Sequence, residues 1–187
     1  MLTTVATIDG FTTPVDVSGP EKGSTVVVLS AGHHGPAAYE PICRRLHTAS
    51  LRTVIIGPDP RLTAKSVVGI LDSLNIKWAL LVGDRLGGEL AWELAATRLD
   101  KFIGLVVVDR GHPRVADATG AIRDDECPPV EMNTTVLVST PAARAVAKAS
   151  QRYVYGDFRL VEMPGRRNAG DSTAQLAAEI VLRTSSW

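Results

Sequence analysis

Residues 78–98, WALLVGDRLGGELAWELAATR, set the tightest constraint on what this chain can fold into. Trp78 to Val82 is a short, continuous apolar run ending at Gly83. Such a run suits a strand covered on both faces of a parallel sheet better than an alternating, half-exposed one. Leu90, Ala91, Leu94 and Ala95 then recur at helical spacing. Between the two, Gly83, Gly87 and Gly88 remove the Cβ atoms that would collide if a strand turned directly into a helix with one side chain held at the apex. The apex is Arg85.

The flanking sequence repeats the same rhythm. Thr3 to Ile8 and Phe11 to Val17 bracket Asp9-Gly10, a pair that tolerates positive φ and predicts a hairpin. Pro14 cannot donate to a ladder and places the second strand at an edge. Strands are predicted at Thr25 to Leu29, Thr53 to Ile56, Leu105 to Val108, Thr135 to Val138 and Phe158 to Met163. Helical spacing joins Tyr39, Ile42, Cys43 and Leu46, and again Val67, Ile70, Leu71 and Leu74. Thr140 with Pro141 reads as a helix start. Ser172 with Gln175 reads as a capping box for a last helix that buries Leu176, Ile180 and Val181. Alternating βα units of this kind make a mostly parallel sheet with helices on both faces.

With 187 residues, 45% of them hydrophobic and 21% charged, the chain is expected to form one domain, 1–187, around an aliphatic core. Twenty basic residues balance twenty acidic ones, which argues against nucleic acid or an anionic membrane as a partner. The N-terminal MLTTVATIDGF has no basic start, and no stretch approaches the roughly 20 apolar residues of a membrane span, so a cytoplasmic protein is expected. Cys43 and Cys127 lack metal-type spacing and are expected to be free thiols.

The hairpin, the βα series and the central strand, Gly turn and helix together resemble the α/β-hydrolase superfamily over roughly residues 3 to 183. His34-Gly35 looks like the His-Gly of that family's oxyanion loop. Gly83-Asp84-Arg85-Leu86-Gly87 looks like its G-x-S-x-G nucleophile elbow, and Met163-Pro164-Gly165 like the approach to its catalytic histidine loop. Residues 111–133 occupy the place where the family inserts a cap and are long enough only for a loop or one short helix. The resemblance therefore implies a minimal cap over a site that is shallow, open or covered by a second subunit in a homodimer.

The chemistry that the resemblance implies is not matched at these positions. A guanidinium stays protonated and has no lone pair with which to attack, so Arg85 cannot act as a nucleophile. After the strand Thr135 to Val138, where the family's acid usually stands, come Ser139 to Arg144 with no carboxylate. The histidine position falls in Arg166-Arg167-Asn168, leaving Asn168 in place of a base. In the register His34-Gly35-Pro36, the expected oxyanion donor is Pro36, which has no N–H; that of Leu86 is retained. A displaced acid at Asp109 is the family's known variation that this chain can still offer.

Ser30, His33, His34, Asp84, Asp109 and His112 are all placed by this topology at the carboxyl ends of strands, where open α/β sheets bind ligands. Arg85 reads in two ways. It is an anion clamp at a helix N-terminus, aided by the Leu86 N–H, or it is neutralised internally by Asp84, Asp109 or Glu40. His33 and His34 are ligand contacts or a base, or else they brace the loop through backbone hydrogen bonds. Asp109 and His112 are a dyad or part of a solvated turn. Arg166 and Arg167 line the cleft or are simply solvated. A zinc site built from His33, His34, His112 and Asp109 has suitable ligand types without a recognised spacing, and neither metal nor cofactor is expected.

Two functions follow. In the first, the chain is a hydrolase-like scaffold without the Ser-His-Asp triad that binds a small acidic molecule or a protein partner at His33, His34, Asp84, Arg85, Leu86, Asp109, His112 and Arg167. In the second, it is an enzyme with lyase, isomerase or cyclase chemistry, or an atypical hydrolase, using His33 or His34 with Asp84 or Asp109.

Overall fold

The computed structural model describes residues 1–32, 34–163 and 169–185. One eight-stranded sheet runs through it: β1 (Leu2–Ala6), β2 (Thr12–Ser18), β3 (Thr25–Leu29), β4 (Arg52–Ile56), β5 (Ala79–Asp84), β6 (Phe102–Val108), β7 (Thr134–Val138) and β8 (Phe158–Glu162). Their spatial order is β1-β2-β4-β3-β5-β6-β7-β8. The first two strands are antiparallel to their neighbours and all the others pair in parallel. Among the described residues, five α-helices complete the fold: α1 (Glu40–Thr48), α2 (Ala64–Ser73), α3 (Gly87–Thr97), α4 (Pro141–Ser150) and α5 (Ala169–Thr184).

The period of two along the strands divides the core between the faces. Val26 and Val28 of β3, with Leu80 and Val82 of β5, pack against Ile42 and Leu46 of α1 and Ile180 of α5. Val27, Leu29 and Leu81 face the other way, toward Val67 and Ile70 of α2 and Trp92 and Leu94 of α3. Both faces are covered, so β3 and β5 are buried at every position. Continuous apolar runs, without alternation, are the sequence signature of that environment. Thr140 caps α4 by accepting the Ala143 N–H at 3.1 Å, with Pro141 following. Both cysteines are free and buried, and burial pushes the Cys127 thiol up to about 11.

Three sequence expectations are corrected. Trp78 is 59% exposed and lies before β5, which extends instead through Gly83 to Asp84. Pro14 is not on an edge strand, because β1 lies outside β2. It is accommodated because the β2–β4 ladder begins only at Val15, opposite Ile56, while the Pro14 carbonyl accepts the Gly57 N–H. Ser172 lies inside α5, which is already helical at Ala169, so it is not the cap; the Gln175 amide donates to the Glu162 carbonyl.

Candidate functional site

The site is organised by the β5–α3 turn. Arg85 has φ +49°, a left-handed conformation costing a non-glycine residue roughly 1–2 kcal/mol. Its N–H donates to the Val108 carbonyl and its carbonyl accepts the Gly88 N–H, so the backbone is pinned from both sides. Close packing explains the glycines. A Cβ on Gly87 would lie 2.1 Å from the Leu29 carbonyl oxygen, and one on Gly83 would lie 2.5 Å from the Gly88 Cα. The turn thus lifts one side chain off the sheet at the head of α3, with the guanidinium 53% exposed.

Asp84, at the end of β5, is buried beneath it. Its Oδ2 accepts the Tyr39 hydroxyl at 2.6 Å, and that hydroxyl in turn accepts the Ala31 N–H at 2.8 Å. Burial, followed by the charge of Asp84, holds the phenol well above its ordinary value, so Tyr39 stays a neutral donor. The other carboxylate oxygen, Oδ1, is 3.9 Å from Arg85 Nη1. This is the weakest form of the internal neutralisation considered for Arg85. Glu40 pairs instead with Arg44 at 2.5 Å, and Asp109 faces Ser139.

Asp109 ends β6 with φ +53°. Its carboxylate accepts the Ser139 N–H at 2.7 Å and also the Ser139 hydroxyl. Ser139 directly follows β7, the position assigned by resemblance to the acid, so an acid on one strand end is held by a hydroxyl on the next.

A cleft of about 1160 Å3 lies over these strand ends. It brings together His34, Asp84, Arg85 and Asp109 from the sequence candidates, and adds Tyr39, Glu89, Arg110, Arg123 and Ser139. Glu89 Oε1 lies 3.0 Å from Arg123 Nη1 and 3.6 Å from Arg110 Nε, tying the loop in the cap position to α3. That loop contains no helix. Leu86 is half-exposed beside Arg85.

His112 is not brought to the cleft. It is 1% exposed, stacked on Tyr153 and edge-on to Trp92. Its Nε2 is 2.8 Å from the Pro128 carbonyl and its Nδ1 accepts the Arg114 N–H, so both nitrogens are used in the neutral ring. Desolvation lowers its pKa. The Asp109–His112 dyad and the four-residue zinc site are therefore not assembled, and among the described residues no cluster of three or more metal-ligating groups occurs. His33, Pro164, Gly165, Arg166, Arg167 and Asn168 lie outside the described residues.

In the loop after β3, a Cβ on Gly32 would lie 2.8 Å from the Leu86 side chain, whereas one on Gly35 would meet nothing within 4 Å. Pro36 opens a 3-10 turn leading into α1. Neither the Gly32 N–H nor the Leu86 N–H has an acceptor among the described residues. Sequence reasoning missed Tyr39 and the Glu89–Arg110–Arg123 group. Tyr39 scored as a core position by its spacing, which says nothing about where its hydroxyl points, and Arg123 lies in a loop without periodicity.

The left-handed apex between a buried strand and a helix, inside this strand order, decides the architecture. The chain has the α/β-hydrolase fold. It superposes on a hydrolase from Pseudomonas aeruginosa PA01 with a TM-score of 0.77 at 17% identity, covering 97% of this chain and 98% of that one. An α/β-hydrolase-fold neighbour of equal TM-score, 0.77, is the enol-lactonase from Burkholderia xenovorans LB400, at 15% identity over 98% and 100% of the two chains. An epoxide hydrolase from Vigna radiata gives 0.76 at 12% identity over 100% and 98%. No protein-family model matches the sequence, and neither does any curated protein. No helix among the described residues is long and apolar enough to cross a membrane.

Proposed function

We propose that this α/β-hydrolase-fold chain binds a small anionic molecule at Arg85 and does not carry out serine hydrolysis. The observation that carries the reading is the state of the apex. A guanidinium held in a strained backbone conformation stands half-exposed over a cleft, and its nearest carboxylate among the described residues, 3.9 Å away, is engaged by Tyr39. A cation at a helix N-terminus is locally unfavourable by a few tenths to about 1 kcal/mol, so a bound anion there relieves a penalty as well as gaining a charge-assisted hydrogen bond. The Leu86 N–H at the head of α3 supplies a further donor.

Against serine hydrolysis stand the residues found at the expected triad positions. Arg85 replaces the nucleophile, Ser139 stands at the usual acid position, and Asn168 stands at the position expected for histidine. Labelling with a serine-directed fluorophosphonate is expected to give no adduct, and Arg85→Ser alone is expected to create no esterase, because these groups act as a unit. A stoichiometric adduct on Ser30 or Ser139 would defeat this reading.

A second reading has one observation in its favour: His34 lines the same cleft as Arg85. An imidazole and a fixed cation on one cleft suit lyase, isomerase or cyclase chemistry, with His34 moving the proton and Arg85 holding the developing anion. Turnover of a metabolite panel that is abolished by His34→Ala would establish this reading over simple binding.

A further inference from the structure

We infer that the ligand of this cleft is a monoanion carrying an apolar tail, such as a medium-chain carboxylate, in place of a polar or doubly charged acid. The inference rests on the anion-binding reading of Arg85 and specifies the chemistry of what binds. Its basis is how the polar groups of the cleft are already occupied.

Three arginines line the cleft among the described residues. Arg110 and Arg123 both turn to Glu89, at 3.6 and 3.0 Å, whereas Arg85 is 3.9 Å from its only carboxylate contact among the described residues. A second anionic group would have to displace Glu89 from Arg123, and it would also meet the Asp109 and Asp117 carboxylates on the same lining. Among the described residues, one negative charge at Arg85 is favoured and two are opposed.

The walls above this floor interleave apolar side chains with the hydroxyls of Thr119, Thr140, Ser172 and Thr173, and the apolar ones form three patches. Leu176 of α5 and Met163 beyond β8 stand on one side, Ala142 and Ala143 of α4 on another, and Val115 and Ala118 come from the loop in the cap position. Leu176 and Met163 are only partly buried although they pack on the core cluster beneath α1 and α5, so apolar area is left for a ligand to cover. A cleft of about 1160 Å3 is far larger than acetate needs and slightly exceeds the usual range of small-molecule sites, which run to about 1,000 Å3. A carboxylate on Arg85 with a chain lying between these walls uses both features.

The test is calorimetric titration of the intact protein with acetate, butanoate, hexanoate and octanoate, and with adipate as the dianionic counterpart of hexanoate. Affinity is expected to rise about two- to fourfold per methylene, following the transfer free energy of a buried CH2. Adipate should bind at least tenfold more weakly than hexanoate, and Arg85→Ala should abolish the series. A chain-length profile that is flat, or adipate binding as tightly as hexanoate, with the Arg85 dependence intact, would overturn the inference and leave the anion-binding reading standing. No binding by any acid, or binding unchanged in Arg85→Ala, would overturn both. The exposed Ala142→Asn substitution, which places an amide in the apolar wall at the first turn of α4, is expected to weaken octanoate several-fold and leave acetate unchanged; equal effects on both would count against the tail site.

Discussion

Tyr39 donates its hydroxyl hydrogen to Asp84 at 2.6 Å, so the residue beneath the turn apex is held by a residue 45 positions earlier in the chain. The same oxygen accepts the Ala31 N–H, fastening the loop after β3 to the elbow. With Asp84 occupied in this way, the charge of Arg85 is left available to the cleft. Removing the hydroxyl tests this directly. Tyr39→Phe strands the Ala31 N–H and a charged acceptor together, which should destabilise the fold by about 2 kcal/mol in urea unfolding. The freed Asp84 carboxylate should then close on Arg85 and weaken anion binding about fivefold, the equivalent of a surface ion pair near 1 kcal/mol. An unchanged affinity in a folded Tyr39→Phe protein would show that Tyr39 does not control the apex.

Arg85 itself should display a conflict between stability and binding. Its φ of +49° suits glycine, which occupies the left-handed region without the Cβ penalty. Arg85→Gly is expected to match or exceed the wild type in stability by up to about 1 kcal/mol, the relief of strain being partly offset by the entropy of the unfolded glycine. The same variant should lose anion binding. Thermal unfolding and titration of one preparation check both halves; a marked loss of stability would mean that the guanidinium is a structural ion-pair member.

His112 should contribute a measurable dependence of stability on pH. Desolvation depresses its folded pKa below the ordinary value of about 6.5, so the unfolded chain takes up a proton before the folded one does. Its contribution is therefore complete above pH about 6.5 and is lost as pH falls from there through the folded pKa. Unfolding free energy measured between pH 8 and 5 should decline over this range. His112→Gln should be less stable at pH 8, through the lost contacts to Pro128, Arg114 and Tyr153, but show a shallower decline. A parallel decline in both proteins would place the pH dependence elsewhere.

The fold could be read from residues whose packing is encoded locally. The continuous apolar runs of β3 and β5 report burial on both faces, and Gly83, Gly87 and Gly88 report a turn too tight for side chains, so the sheet and its elbow follow from composition along short segments. Trp78 extends the apolar run by hydropathy alone, although its side chain lies in solvent. Pro14 misled because the missing N–H that suggests an edge is also tolerated one residue short of a ladder.

The site was only half legible. Arg85, Asp84, Asp109 and His34 converge because topology brings strand ends together, and topology follows from the periodic pattern. A polar residue on a loop after a strand, as His112 is, looks like a site residue in sequence; Tyr153, its stacking partner, is 41 residues away and invisible to spacing. Tyr39, Ser139, Arg110 and Arg123 act through side-chain partners that only the tertiary structure selects.

The most direct test of an anion site at Arg85 is a crystal structure of the protein soaked with hexanoate. A carboxylate within hydrogen-bond distance of the Arg85 guanidinium and the Leu86 N–H, with Tyr39 still on Asp84, is the expected result. Arg85 folded onto Asp84, with the cleft empty or the acid bound away from the elbow, would contradict it.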